Sequence, residues 1–289
     1  MAIWSKNTSA KPALGDIEEL RQRYVPLLAR LGTGSGKIAC EPGQLGPIKG
    51  EWLRPANAAP NRTILYFHGG GFVAGSPQTH RALVGRLAQM AEASAFLLDY
   101  RLAPENVFPA SVRDGIDAYR ALLAKGTVPE SVVLAGDGAG GGLAFAVVLA
   151  IRNAGLAMPG AIVALSPWAD LSLSGWSMLQ NRKSDTVLSW ETLFLSARHY
   201  LKKSNPADAY ASPVFASFKD FPPIMVHAGA AEILRDDASR LGDRAAEAGI
   251  PVSVEIYDGM QHLFQADARL AEAKASLGRL GQFIRSRTK

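Results

Sequence analysis

A chain of 289 residues that is 48% hydrophobic and 20% charged can fill a large core, and this composition excludes a disordered or fibrous protein. The formal net charge is +5, but Lys and Arg are scattered, and only Arg285, Arg287 and Lys289 come near to a run, so no nucleic-acid partner is expected. The single cysteine, Cys40, excludes an intrachain disulfide and suits a reducing compartment.

The first nine residues, MAIWSKNTS, lack the apolar segment of a secretory signal, and a cytoplasmic location is expected. Spaced apolar positions after an acid predict an amphipathic helix over residues 15–31, with Pro26 bending or ending part of it. A Gly-rich break follows at 32–36. From residue 63 the pattern changes. Short apolar, β-branched runs predict strands at 63–67, 94–100, 131–135 and 161–165, with helices at 79–92, 111–123 and 140–153 between them. The longest apolar run, 143–151, is far short of the ~20 residues that span a bilayer, so no membrane insertion is expected. Residues 170–215 break the rhythm. They hold Trp176, Trp190, one predicted helix at 191–202 and no clear strand, which is too long for a simple loop. With the N-terminal helix they are expected to cap the C-terminal edge of a sheet. A strand at 224–228, a helix at 235–248, a strand at 252–257 and a helix at 268–285 complete the chain. Alternating strands and helices predict an α/β fold: a mostly parallel sheet with helices on both faces, joined by right-handed crossovers.

The chemistry-bearing motifs all fall just after predicted strands. His68-Gly69-Gly70-Gly71-Phe72 follows the first. Three successive glycines let backbone N–H groups converge without side-chain obstruction, as a developing oxyanion requires, and HGGG after an early strand is the oxyanion-loop pattern of lipases and esterases. Gly136-Asp137-Gly138-Ala139-Gly140-Gly141 sits at a strand-to-helix junction, where the nucleophile elbow G-x-S-x-G is expected. The flanking glycines fit, but Gly138 stands in the place of the serine. The same run spells G-x-G-x-x-G. A dinucleotide site is disfavoured because the motif lies mid-chain, the next strand ends in Ser166-Pro167 without a ribose-binding acid, and the match depends on Gly138 itself.

A general base belongs in the loop after the last strand, and His262 in DGMQHLF is the candidate. Of the other histidines, His227 lies in an apolar strand, His199 on the predicted cap helix, His80 at a helix start and His68 in the oxyanion loop. The acid that orients the base should follow the penultimate strand. Glu232 is the first choice there, while Asp236 and Asp237 read better as acids in the first turn of a helix.

Taken together, HGGGF (68–72), DYRLAPE (99–105), GDGAGG (136–141), AEILRDD (231–237) and DGMQHLF (258–264) resemble the hormone-sensitive lipase family of α/β-hydrolases, in which the third motif reads GDSAGG. The resemblance spans roughly residues 48–289. It implies an α/β-hydrolase fold with a mostly parallel eight-stranded sheet, helices on both faces and a helical cap. Residues 1–47 would be N-terminal cap helices, and 48–289 a catalytic domain with a cap insertion at about 170–215. It also implies hydrolysis of short- to medium-chain acyl esters by a Ser-His-acid mechanism without metal or cofactor, and a possible homodimer, sometimes formed through the last strand.

Carried over by position, Gly70, Gly71 and Ala139 would form the oxyanion hole, and Glu232 and His262 would complete the triad. His68, Gly69 and Asp137 would support the motifs, and Tyr100, Arg101 and Glu105 would brace the loops beneath the site. Trp4, Phe72, Trp168, Trp176, Trp190 and Phe264 are candidates to line the substrate pockets. Gly138 removes the side-chain atom that would carry the acyl group, so the chain is expected to be inactive or nearly so. Two histories fit: a deliberate Ser→Gly replacement, favoured because every other part is retained, or a natural chain that keeps only small-molecule binding.

Overall fold

Continuous apolar runs make the centre of the sheet in the computed structural model, which describes residues 16–31 and 38–288. β3 (Thr63–Phe67), β5 (Val132–Asp137), β6 (Ala161–Leu165) and β7 (Ile224–Gly229) are buried at every position, as parallel strands covered on both faces must be. β4 (Ser94–Leu98) joins them on one side, and β8 (Val252–Tyr257), half-buried along its length, closes the other.

The sheet continues past β4 through β1 (Ala39–Leu45) and β2 (Ile48–Arg54), giving eight strands in the order β1-β2-β4-β3-β5-β6-β7-β8. The pairs β1–β2 and β2–β4 are antiparallel, and all others are parallel. The hairpin of β1 and β2 is absent from the sequence-based reading, which assigns residues up to 47 to the cap; the sheet instead begins at residue 39. Pro42 and Gly43 mask the pattern of β1, and both are tolerated because it is an exposed edge strand with one free side.

Helices cover both faces. α2 (Pro77–Ala91) packs against α8 (Ala271–Arg287), and α3 (Ala110–Ala124) packs against α4 (Ala139–Asn153); α7 (Arg235–Glu247) lies on β7 and β8. α1 (Ile17–Leu31) runs unbroken through Pro26, where the sequence suggests a bend or stop. The segment 170–215 holds only two short helices, α5 (Ser177–Gln180) and α6 (Trp190–Leu201), plus a 3-10 turn. α6 packs on α1, and Tyr24 Oη lies 2.8 Å from Ser196 Oγ across that contact.

Strand order positions the site. β3 and β5 are neighbours, with Phe67 opposite Gly136. From β3 the chain winds out to β4, and from β5 it winds the other way to β6. The C-terminal ends of β3 and β5 therefore flank a topological switch point, where open α/β sheets leave a crevice.

Candidate active site

β5 ends at Asp137 and α4 starts at Ala139, so a single residue makes the turn. Gly138 holds φ 50° and ψ −121°, a conformation costly for residues with a Cβ. The turn is pinned to β6: the Gly138 amide donates to Leu165 O at 3.0 Å, and its carbonyl accepts from Trp168 N at 2.8 Å. Strand and helix approach so closely that a Cβ at Gly140 would collide with the carbonyl of Phe67. At Gly138 there is space instead. A Cβ there would lie 3.6 Å from His262 Nε2, 3.8 Å from its Cε1 and 4.0 Å from Gly69 Cα, all ordinary contacts. Glycine holds this conformation at no steric cost, and the room beside the imidazole would fit a small side chain.

His262 is delivered by the loop after β8, and Glu232 by the loop after β7. His262 Nδ1 and Glu232 Oε2 are 2.6 Å apart, and both side chains are buried. The second carboxylate oxygen of Glu232 accepts from Gly229 N at 2.6 Å and from Ser166 Oγ at 2.9 Å. Ser166 in turn accepts from Leu263 N at 3.1 Å, next to the histidine. Burial pushes the His262 imidazole down, but its hydrogen bond to Glu232 and that carboxylate's charge, helped by Asp185 and Asp137, outweigh burial and raise it above its ordinary value. Asn181 Nδ2 donates to the carbonyls of Ala230 and Glu232, and Asp185 accepts from Ile233 N at 2.9 Å, so the segment 170–215 holds the loop after β7.

The glycine loop lies across the crevice. Gly70, Gly71 and Ala139 line the same cavity as Gly138 and His262, and among the described residues none of the three amides donates to a protein acceptor. The loop is braced from below. Tyr100 Oη donates to His68 O at 2.6 Å, and its ring stacks on the imidazole at 4.2 Å. Burial and the neighbouring His80 drive the His68 imidazole down to about 3, so it stays neutral. Asp137 accepts from Tyr66 Oη at 2.8 Å and lies 3.4 Å from His80 Nε2, which is 3.3 Å from Gly69 N. Burial opposes its charge, but His80 and Tyr66 prevail and hold the carboxyl below its usual value. Arg101 grips Asp114 of α3, with Nη2 and Oδ1 2.6 Å apart, and Glu105 pairs with Arg21 of α1 at 2.8 Å.

The cavity beside Gly138 and His262 is small and partly open to solvent. Its apolar wall comes from Leu27, Leu28 and Leu31 of α1, Leu188 and Leu193 of the insertion, and Leu234. Sequence reasoning missed all of these and Tyr24, although Tyr24, Leu27, Leu28 and Leu31 follow the i, i+3, i+4, i+7 spacing of one helix face. It also missed that His80 lines the cavity. Of the aromatic candidates, Trp168 lines the cavity. Phe72 and Phe264 are buried in packing, with Phe72 stacked on Tyr200. Trp176 and Trp190 are exposed on the surface of the insertion, and Trp4 lies outside the described residues. Asp236 and Asp237 are structural: Asp237 accepts from Ala169 and Asp170 amides, and Asp236 from Ser177 N. No described helix is long and apolar enough to cross a membrane.

Comparison with known proteins agrees with this architecture. The family model described as alpha/beta hydrolase fold matches residues 64–266. An acetyl-hydrolase of Streptomyces hygroscopicus is 38% identical over 95% of this chain and 91% of its own length. An esterase of Acinetobacter venetianus is 35% identical over 90% of this chain and 86% of its own. Among solved structures, an esterase from the bacterial hormone-sensitive lipase family superposes with a TM-score of 0.89 at 37% identity, covering 94% of this chain and 97% of that one.

Proposed function

The chain belongs to the hormone-sensitive lipase family of α/β-hydrolases, and from that premise we propose that its cavity takes short- to medium-chain acyl esters at a site whose serine nucleophile is replaced by Gly138. In this reading His262 is the general base and Glu232 holds its tautomer. The amides of Gly70, Gly71 and Ala139 receive the oxyanion. Gly138 removes the acyl-enzyme route, and the chain binds esters while hydrolysing them poorly. The observation that carries the reading is the position of residue 138. Its Cβ would lie 3.6 Å from the Nε2 of an imidazole whose Nδ1 is held by Glu232 at 2.6 Å. A serine there would bring its hydroxyl to the base.

The test is Gly138→Ser assayed with p-nitrophenyl butyrate. Removing a serine nucleophile costs on the order of 10⁶ in kcat in a related mechanism, so a gain of roughly 10⁵–10⁶ is expected, with a burst at the first turnover. No gain would overturn the assignment. Retention of the glycine loop, base and acid supports a Ser→Gly replacement in an otherwise intact hydrolase. The codon at 138 in the source gene tests this; a genomic Gly would favour a small-molecule binding protein instead.

The remaining expectations belong to the same proposal. α1 and the 170–215 insertion form the cap over the cavity. The open, half-buried edge of β8 is where a second copy would pair, as sedimentation would show. A cytoplasmic location suits a chain whose single cysteine is free.

A further inference from the structure

We propose, building on the reading above, that Gly138 leaves a general-base site rather than an inert one: a water, or a neutral nucleophile no larger than a serine side chain, attacks the bound ester directly from beside His262 Nε2. Three observations carry this. The first is space. The Cβ position at 138 has His262 Nε2 at 3.6 Å, Cε1 at 3.8 Å and Gly69 Cα at 4.0 Å, so glycine frees the volume of a hydroxymethyl group at the imidazole. A water takes about 30 Å³ in the liquid, a comparable volume. The second is a base that remains aimed. With Nδ1 held by Glu232 at 2.6 Å, Nε2 is the ring nitrogen left beside residue 138. Glu232 is itself fixed by Ser166 and the Gly229 amide, so nothing in the orienting chain depends on the missing hydroxyl. The third is the cavity, where Gly70, Gly71 and Ala139 line the same space under a wall of leucines, so the amides that would receive the oxyanion face the freed volume.

The step balances without a co-reactant. His262 Nε2 takes a proton from the water as its oxygen bonds to the acyl carbon, and the carbonyl electron pair moves onto the oxyanion at the three amides. The intermediate collapses by breaking the bond to the alcohol oxygen, which receives the proton from Nε2. The products are the acid and the alcohol. Methanol in place of water yields the methyl ester, and hydroxylamine yields the hydroxamate, each releasing the same alcohol. The freed volume is that of one hydroxymethyl group, so methanol is expected to be accepted and the bulkier isopropanol refused.

The experiment uses the full chain at substrate-comparable concentration with p-nitrophenyl butyrate. The expected result is slow, linear release without a burst, no butyryl adduct on the intact protein by mass spectrometry, and methyl butyrate rising in proportion to added methanol but no isopropyl ester. Gly138→Ala places a methyl group 3.6 Å from Nε2 and is expected to lower the rate at least tenfold, as is His262→Ala. His262→Asn serves as the second base variant should the alanine fail to fold, with melting curves checking each. Gly138→Ser tests the underlying reading separately. A burst there with no effect of Gly138→Ala or His262→Asn on the parent rate would overturn the direct-attack proposal alone. No gain with Gly138→Ser would overturn both. An acyl adduct on the parent chain would also overturn the proposal.

Discussion

His227 and His262 are both buried, and each has a glutamate in reach, yet their surroundings shift the two imidazoles in opposite directions. By distance, His227 has the more complete set. Its Nδ1 is 2.8 Å from Ser276 Oγ, and its Nε2 is 3.5 Å from Glu255 Oε2. But Glu255 also pairs with Arg279 at 3.2 Å and accepts from Tyr257 Oη at 2.7 Å, so its charge is largely spent on a cation. Burial therefore wins, and the His227 imidazole is pushed down to about 4. Among the described residues the Glu232 carboxylate meets a hydroxyl and an amide besides His262, and its charge overcomes burial at the imidazole. The two groupings teach that a Ser, a His and a Glu in contact do not make a site. A carboxylate without a competing cation, and a cavity at the far ring nitrogen, do.

The largest effect that can break this comparison comes from neutralising each acid in the Gly138→Ser protein. Glu232→Gln removes the group that fixes the working tautomer, and a loss of about 10³–10⁴ in kcat is expected, on the scale of other acid-to-amide changes in such triads. Glu255→Gln should leave kcat within about twofold, since surface-connected structural pairs of this kind contribute little beyond stability. Ester hydrolysis measured side by side decides it; equal losses would erase the distinction drawn here.

These differences explain how much could be read from residues alone. The pairing of His262 with Glu232 was legible because the loops after the last two strands meet by topology. The central strands were legible because burial on both faces demands unbroken apolar runs. β1 was not, because an edge strand bearing Pro42 and Gly43 carries no period. Nor was the cavity wall. The α1 leucines form an ordinary amphipathic stripe, and only the packing of α1 on α6 turns part of that stripe towards the site. Ser166 was visible only as the end of a strand. Its role at Glu232 depends on a contact across 66 residues that no local pattern encodes.

A smaller effect sharpens the contrast through pH. In the proposed mechanism the base must be neutral to act, and His262 is raised above the ordinary imidazole, so the acid limb of kcat/KM in the Gly138→Ser protein should lie above about 6.5. Removing the charge of Glu232 leaves burial less opposed, and Glu232→Gln should move that limb to lower pH. Asp185 and Asp137 continue to oppose the shift. A limb that stays in place would show that Glu232 does not set the base.

The smallest effect separates the histidines by stability. A histidine depressed in the folded state binds its proton more readily when unfolded. His227, at about 4, and His68, at about 3, therefore contribute stability that is present above about 6.5 and lost as pH falls from there towards 4 and below. His262 has the opposite sign: raised in the folded state, its contribution is full below about 6.5 and lost as pH rises through its folded value. Urea unfolding between pH 7 and 4.5 should consequently show stability falling on acidification. Each excluded proton is worth up to about 1.4 kcal/mol per pH unit. His227→Gln, which keeps a polar partner for Ser276, should flatten that fall while leaving the activity of the Gly138→Ser protein at pH 7.5 unchanged. An undiminished fall would mean that His227 is not held neutral. A loss of activity would mean that the second grouping, far from being a packing feature, communicates with the first.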